Sequence, residues 1–196
     1  MRRLALFLSG TGGNAVNLIR ACREGSVAAE PVLGLASSAK AGGIARLEAE
    51  GLPVAVVARP AFADDAAFSE ACYRQAEAAG ADVIALCGWL KRLEVPERWA
   101  GRILNIHPGL LPAFGGAGMY GMHVHRAVLA AGCAESGCTV HLVDNLYDHG
   151  AVLAVAKVPV LPGDAPEELQ QRVYAQEMAL YPRALADFLA RSASGR

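Results

Sequence analysis

Leu4-Ala5-Leu6-Phe7-Leu8-Ser9-Gly10-Thr11-Gly12-Gly13-Asn14 is the stretch that decides the fold. An apolar run of strand length ends in a glycine-rich turn and gives way to a helical period over residues 14–23. Strand, tight turn and helix in that order form the first half of a parallel crossover unit. Glycines in the turn let main-chain N–H groups approach an anion, and the helix N-terminus adds its partial positive charge, so phosphate is the natural ligand. The alternative is a plain turn with Asn14 as the helix N-cap. Nicotinamide dinucleotides are disfavoured: the turn is not G-x-G-x-x-G, and Ser37-Ser38-Ala39-Lys40 stands where a ribose-binding acid belongs. The G-K-[ST] ending of a P-loop is also missing.

The same alternation continues outward from that turn. Strands are expected at residues 4–9, 32–36, 53–57, 83–87, 103–106, 139–143 and 152–158, and helices at 14–23, 42–50, 64–79, 124–131 and 166–190. This pattern predicts an α/β fold: one domain over residues 1–196, with an open, mostly parallel twisted sheet, helices on both faces and a crevice at the carboxyl ends of the strands. Asp144-Asn145-Leu146-Tyr147-Asp148-His149-Gly150 is short enough to join the last two strands as an antiparallel excursion. In the last helix Leu169, Val173, Leu180 and Leu185 are core candidates, and Pro182 is placed to kink or divide it. Gly115, Gly116, Gly118 and Gly121, with Tyr120, make a loop of low helix and strand propensity, and residues 192–196 read as a loose end.

Composition narrows the function classes. Hydrophobic residues make up 54% and charged residues 19%, which fits a large interior and excludes a disordered chain. The net charge is −1, and no basic cluster exceeds Lys91-Arg92 and Arg2-Arg3, so nucleic acid is not an expected partner. Five scattered cysteines without a C-x-x-C pair read as reduced thiols of a cytoplasmic protein, and no apolar stretch is long enough for a membrane span.

The candidate chemistry lies at strand ends and in the loops that follow them. Asn105 and His107, two apart at a strand's carboxyl end, share one face, where an amide donor and an imidazole can converge on one oxygen. Asp148 lies in the loop between the last strands, where a carboxylate can favour a charged imidazole or serve as a plain turn residue. His123 and His125 resemble half of a metal site, but with only His141 nearby and no carboxylate at helical spacing no metal is expected. His141, inside a strand, reads as packed or facing a groove. Cys87 and Cys138 have no evident activating base.

The glycine-rich turn, Asn105-Ile106-His107-Pro108-Gly109-Leu110-Leu111-Pro112, the D-x-G of Asp148 and Gly150, and Ala175-Gln176-Glu177 with Tyr181-Pro182 together resemble the folate-dependent phosphoribosylglycinamide formyltransferases of purine synthesis. The resemblance implies formyl transfer from 10-formyltetrahydrofolate, as co-substrate, to the amine of glycinamide ribonucleotide, with no metal. It implies a Rossmann-like phosphate-binding half over residues 1–100 and a folate and catalytic half over 101–196. Gly12, Gly13 and Asn14 would hold the phosphate, and Gln176 and Glu177 the rest of the ribonucleotide. Leu90, Lys91, Arg92 and Leu93 would present backbone groups to the pterin, with Asn105 and the loop Asp144, Asn145, Leu146, Tyr147 and Asp148 opposite. Asn105, His107 and Asp148 match the catalytic trio, and His123 matches a histidine near the site. The partners implied are two small molecules, with neither nucleic acid nor membrane, for a monomer or homodimer.

Three positions depart from the family pattern. Gly109 stands where a serine is common, the 114–121 loop is longer, and no arginine is found near Asp64-Asp65 for the folate tail. A formyl-folate hydrolase and a methionyl-tRNA formyltransferase share the chemistry, but neither the regulatory domain of the first nor the basic domain of the second is read in this sequence. A non-catalytic nucleotide- or folate-binding module would have no need of the trio together.

Overall fold

The computed structural model describes residues 1–194. Seven strands form one sheet in the order β3-β2-β1-β4-β5-β6-β7. They are β1 Arg2–Leu8, β2 Ala29–Ala36, β3 Val54–Val56, β4 Val83–Leu86, β5 Ile103–His107, β6 Glu135–Leu142 and β7 Val152–Pro159. The first five pair in parallel, whereas β6 runs antiparallel to both β5 and β7. The five helices are α1 Gly13–Arg23, α2 Gly43–Ala49, α3 Asp65–Ala78, α4 Met122–Ala130 and α5 Pro166–Ser194. The expected α/β sheet with its antiparallel excursion is therefore present.

Alternation along β1 explains why helices cover both faces. Leu4, Leu6 and Leu8 enter a core shared with α1, α2, α4 and α5, while Ala5 and Phe7 enter a second core built on Phe68, Cys72 and Tyr73 of α3. Both sides of the strand are apolar because both are buried. Asp64 caps α3 by accepting a hydrogen bond from the Ala67 N–H at 2.8 Å, so the helix proper begins one residue after its expected start.

α5 stays a single helix through Pro182. Proline has no N–H to give the Met178 carbonyl, and the Asn17 side-chain amide of α1 donates to that carbonyl instead, at 2.7 Å. The buried Tyr181 hydroxyl lies 3.1 Å from the carbonyls of both Leu86 and Leu104, tying α5 to β4 and β5. The helix also extends through Ser194, where a loose end was expected; Gly195 and Arg196 lie outside the described residues.

This topology positions the site. From β1 the chain winds outward through β2 and β3, then returns to build β4 and β5 on the other side. The loops after β1 and β4 thus diverge at a switch point, where open α/β sheets form their crevice.

Candidate functional site

A cavity of about 460 Å³ opens at that switch point. Its walls are the turn after β1, the Gly88-Trp89-Leu90 segment after β4, the end of β5, the 116–121 loop, the 143–148 loop and one face of α5.

The turn after β1 presents the N-terminus of α1. Gly12 is the N-cap residue with φ 72°, a left-handed conformation suited to glycine, and a Cβ there would stand 3.0 Å from the Gly43 Cα. No side chain caps this end and no acidic residue lies in its first turn. Asn14 is therefore not the N-cap. Its Nδ2 instead donates to Glu177 Oε2 at 2.8 Å, while its buried Oδ1 has no partner among the described residues. Burial pushes the Glu177 carboxyl up to about 7, against the opposing pull of the Asn14 amide.

The second group is built across β5 and β6. Antiparallel register sets Asn105 opposite His141 and His107 opposite Thr139. Asn105 Nδ2 lies 3.0 Å from His141 Nε2, and His141 Nδ1 lies 2.8 Å from the Leu142 carbonyl. A carbonyl can only accept, so Nδ1 carries the His141 proton and Nε2 accepts from Asn105. By the same reasoning His107 Nε2–H donates to the Phe114 carbonyl, at 2.7 Å.

Asp148 closes the group. Its Oδ2 lies 3.5 Å from His107 Nδ1, its Oδ1 lies 3.5 Å from His141 Nε2, and Oδ2 accepts the Gly116 N–H at 3.0 Å. Its φ of 51° is left-handed, rare for a residue with a side chain. Burial lowers the His107 pKa, against the Asp148 charge and the Phe114 carbonyl, which raise it. Burial alone would raise Asp148, but the neighbouring imidazoles of His141 and His107 and the Gly116 N–H hold it below the usual carboxylate value. Asp148 is thus ionised at neutral pH, and His107 favours its neutral form in the free protein.

The sequence-predicted residues are not all placed alike. Gly12, Gly13, Asn14, Glu177, Asn105, His107 and Asp148 line one cavity, as do Leu90 to Leu93 and Asp144 to Tyr147. Several of these are already engaged by the protein. The Leu90 N–H is held by Ser9 Oγ at 2.9 Å, so that donor does not face a ligand. Asp144 accepts from the Leu146 N–H and from His149 Nδ1, and Asn145 Oδ1 receives the Val95 N–H at 2.7 Å, bracing the opposite walls.

Gln176 does not line the cavity. The face of α5 that does carries Gln170, Tyr174 and Glu177, at helical spacing. His123 is exposed and meets Tyr120 edge-on with ring centroids 5.1 Å apart, whereas His125 is buried, lines the cavity and leaves Nδ1 without a partner among the described residues. His141 is the functional candidate that local reading missed. A signal existed: Thr139 and His141 repeat, on the neighbouring strand, the two-apart polar spacing of Asn105 and His107. Among the described residues no group of three His, Cys, Asp or Glu side chains could hold a metal ion.

The profile of the formyl transferase family matches residues 2–185. The chain belongs to the formyl transferase family. Its relatives include the phosphoribosylglycinamide formyltransferase of Haemophilus influenzae, 35% identical over 96% of this chain and 87% of that one. The solved phosphoribosylglycinamide formyltransferase of Brucella melitensis is 42% identical with a TM-score of 0.84 over 95% of each chain. The glycinamide ribonucleotide transformylase 1 of Symbiobacterium toebii is 34% identical with a TM-score of 0.89, over 95% of this chain and 86% of that one. The chain spans only 14% of the trifunctional purine biosynthetic proteins of Drosophila that it also matches, at 40% identity in Drosophila pseudoobscura. These relatives of the formyl transferase-family chain bear out the resemblance drawn from its motifs. Among the described residues no helix is long and apolar enough to cross a membrane.

Proposed function

We propose that this chain transfers a formyl group from 10-formyltetrahydrofolate to the amine of glycinamide ribonucleotide, as a cytoplasmic enzyme of purine synthesis working on these two small molecules. The observation that carries the reading is that the open N-terminus of α1 and the group formed by Asn105, Asp148 and the buried His107 and His141 face one cavity. An anion subsite and an acid–base group within one cleft suit a reaction on a phosphorylated amine. The N-terminal half would hold the phosphate and the C-terminal half the formyl donor.

The walls fit a flat heteroaromatic donor. Trp89 and Leu90 stand on one side, Val143, Leu146 and Tyr147 on the other, and the clamp between Asn145 and Val95 sets their separation. Exposed Lys91 and Arg92 supply positive charge at the mouth.

The acid–base roles follow from the lone pairs. With its Nε2–H held by Phe114, neutral His107 turns a lone pair on Nδ1 toward Asp148, itself an acceptor, across 3.5 Å. Two facing acceptors are satisfied by a donor between them, either the attacking amine or a water. His107 then takes the amine proton as the new N–C bond forms, and Asp148 stabilises the imidazolium. Asn105 gives one amide hydrogen to His141, which orients it, and keeps the second for the developing oxyanion. As the bond from the formyl carbon to the folate N10 breaks, His107 returns the proton to that nitrogen. The imidazole thus starts neutral and becomes charged only as the new bond forms.

The test is incubation with glycinamide ribonucleotide and 10-formyltetrahydrofolate, following folate absorbance. Formylated amine in step with folate release supports the proposal. Formate release without dependence on the amine indicates a hydrolase, and no turnover with both present overturns catalysis.

A further inference from the structure

Tyr174 is 41% exposed, three residues before Glu177 on the face of α5 that lines the cavity. A Cβ on residue 13 would overlap the Tyr174 hydroxyl and stand 3.2 Å from its Cζ. The hydroxyl therefore lies over the first turn of α1, in the space that any side chain at position 13 would claim. Among the described residues it has no hydrogen-bond partner.

Two kinds of polar group line the cavity with it. The first are the N–H groups of Gly13 and Asn14, which helix geometry leaves without intrahelical acceptors; the first bond of the helix is from Val16 to the Gly12 carbonyl at 3.0 Å. The second are acceptors: the Glu177 carboxyl and the buried Asn14 Oδ1, without a partner among the described residues, of a residue 8% exposed. Donors beside acceptors suit a phosphoryl group carried on a hydroxylated sugar.

We propose that the Tyr174 hydroxyl donates to the phosphoryl group of the substrate, and that Gly13 and Tyr174 form a matched pair that sets affinity for the phosphorylated end. This rests on the function proposed above. Gly13 is small so that the phenol can reach the helix end, and the phenol supplies the side-chain donor that Gly13 cannot. A phenol O–H adds directionality without adding positive charge to the subsite.

The test begins with Tyr174→Phe, which keeps the ring against Gly13 and removes only the hydroxyl. The expected result is a rise of roughly tenfold in the Kd for inorganic phosphate and for glycinamide ribonucleotide, the range of one hydrogen bond to a charged group that water partly replaces. In steady state the loss should fall on the KM for the ribonucleotide and not on the KM for the formyl donor. Gly13→Ser alone should displace the ring and weaken phosphate binding, and adding Tyr174→Ala should restore part of it by clearing the overlap. Unchanged phosphate affinity in Tyr174→Phe overturns the role of the tyrosine. An equal loss for the unphosphorylated riboside also overturns it, because the hydroxyl would then serve another part of the ligand. A parent chain that binds neither phosphate nor ribonucleotide overturns the proposed function itself.

Discussion

Replacing Asp148 with Asn removes one charge and little else. Asparagine tolerates the left-handed backbone at φ 51°, and its carbonyl oxygen can still accept the Gly116 N–H. What is lost is the attraction between the carboxylate and the imidazolium formed on His107. At the observed 3.5 Å, a pair of unit charges is worth about 5 kcal/mol at an effective dielectric constant near 20. Part of this is offset by the lower desolvation cost of a neutral amide, leaving roughly 3–5 kcal/mol in the transition state and a fall in kcat on the order of 10²–10⁴. The assay is steady-state formyl transfer with both substrates saturating, beside a thermal melt of the same preparation. Substrate KM values should change little, because the lost interaction belongs to the charged state reached during reaction. The double change with His107→Asn should cost far less than the sum of the two single losses. Near-parental kcat in a folded Asp148→Asn protein across neutral pH would refute the proton transfer through His107.

Two further outcomes concern stability. Because burial raises Glu177 to about 7, folding favours its neutral form; that contribution is fully present below the unfolded value near 4.5 and is lost as pH rises through 7. Glu177→Gln should accordingly raise the thermal midpoint at pH 8 and leave it nearly unchanged at pH 4, and an equal gain at both pH values would sink this reading. Asn17→Ala leaves the Met178 carbonyl without its donor and should cost about 1–3 kcal/mol in urea denaturation, against which parental stability would count decisively.

Elements marked by local patterns were legible in the sequence; extensions made by long-range pairing were not. The glycines after β1 and the run of residues 83–86 announce themselves, since each is a short apolar stretch ended by a turn residue. By contrast, β2 begins at Ala29 because Ala29 pairs with Arg2, and β6 begins at Glu135 because that polar end pairs with β7, where Lys157 meets Glu135 at 2.8 Å. Neither start carries an apolar signal.

The same division runs through the site. Asn105 and His107 were visible as a two-apart polar pair on one strand. The placement of His141 against Asn105 depends on antiparallel register, which no local spacing specifies. His123 is marked by its motif, whereas the inward turn of His125 depends on α4 beginning at Met122, which buries Val124, His125 and Val128. Gln176 belongs to the motif, but Gln170, Tyr174 and Glu177 share the face of α5 that reaches the cavity.

The left-handed backbone at Asp148 has a consequence for any attempt to harden this protein. Glycine would occupy φ 51° with less strain, by about 1 kcal/mol, but would give up the Gly116 hydrogen bond and the neighbours that favour the charged carboxylate. A library selected only for survival on heating weighs these opposing terms and nothing else, so it is blind to the carboxylate that the proposed chemistry requires. Residue 148 should be held fixed in such a library, with stability sought elsewhere in the chain.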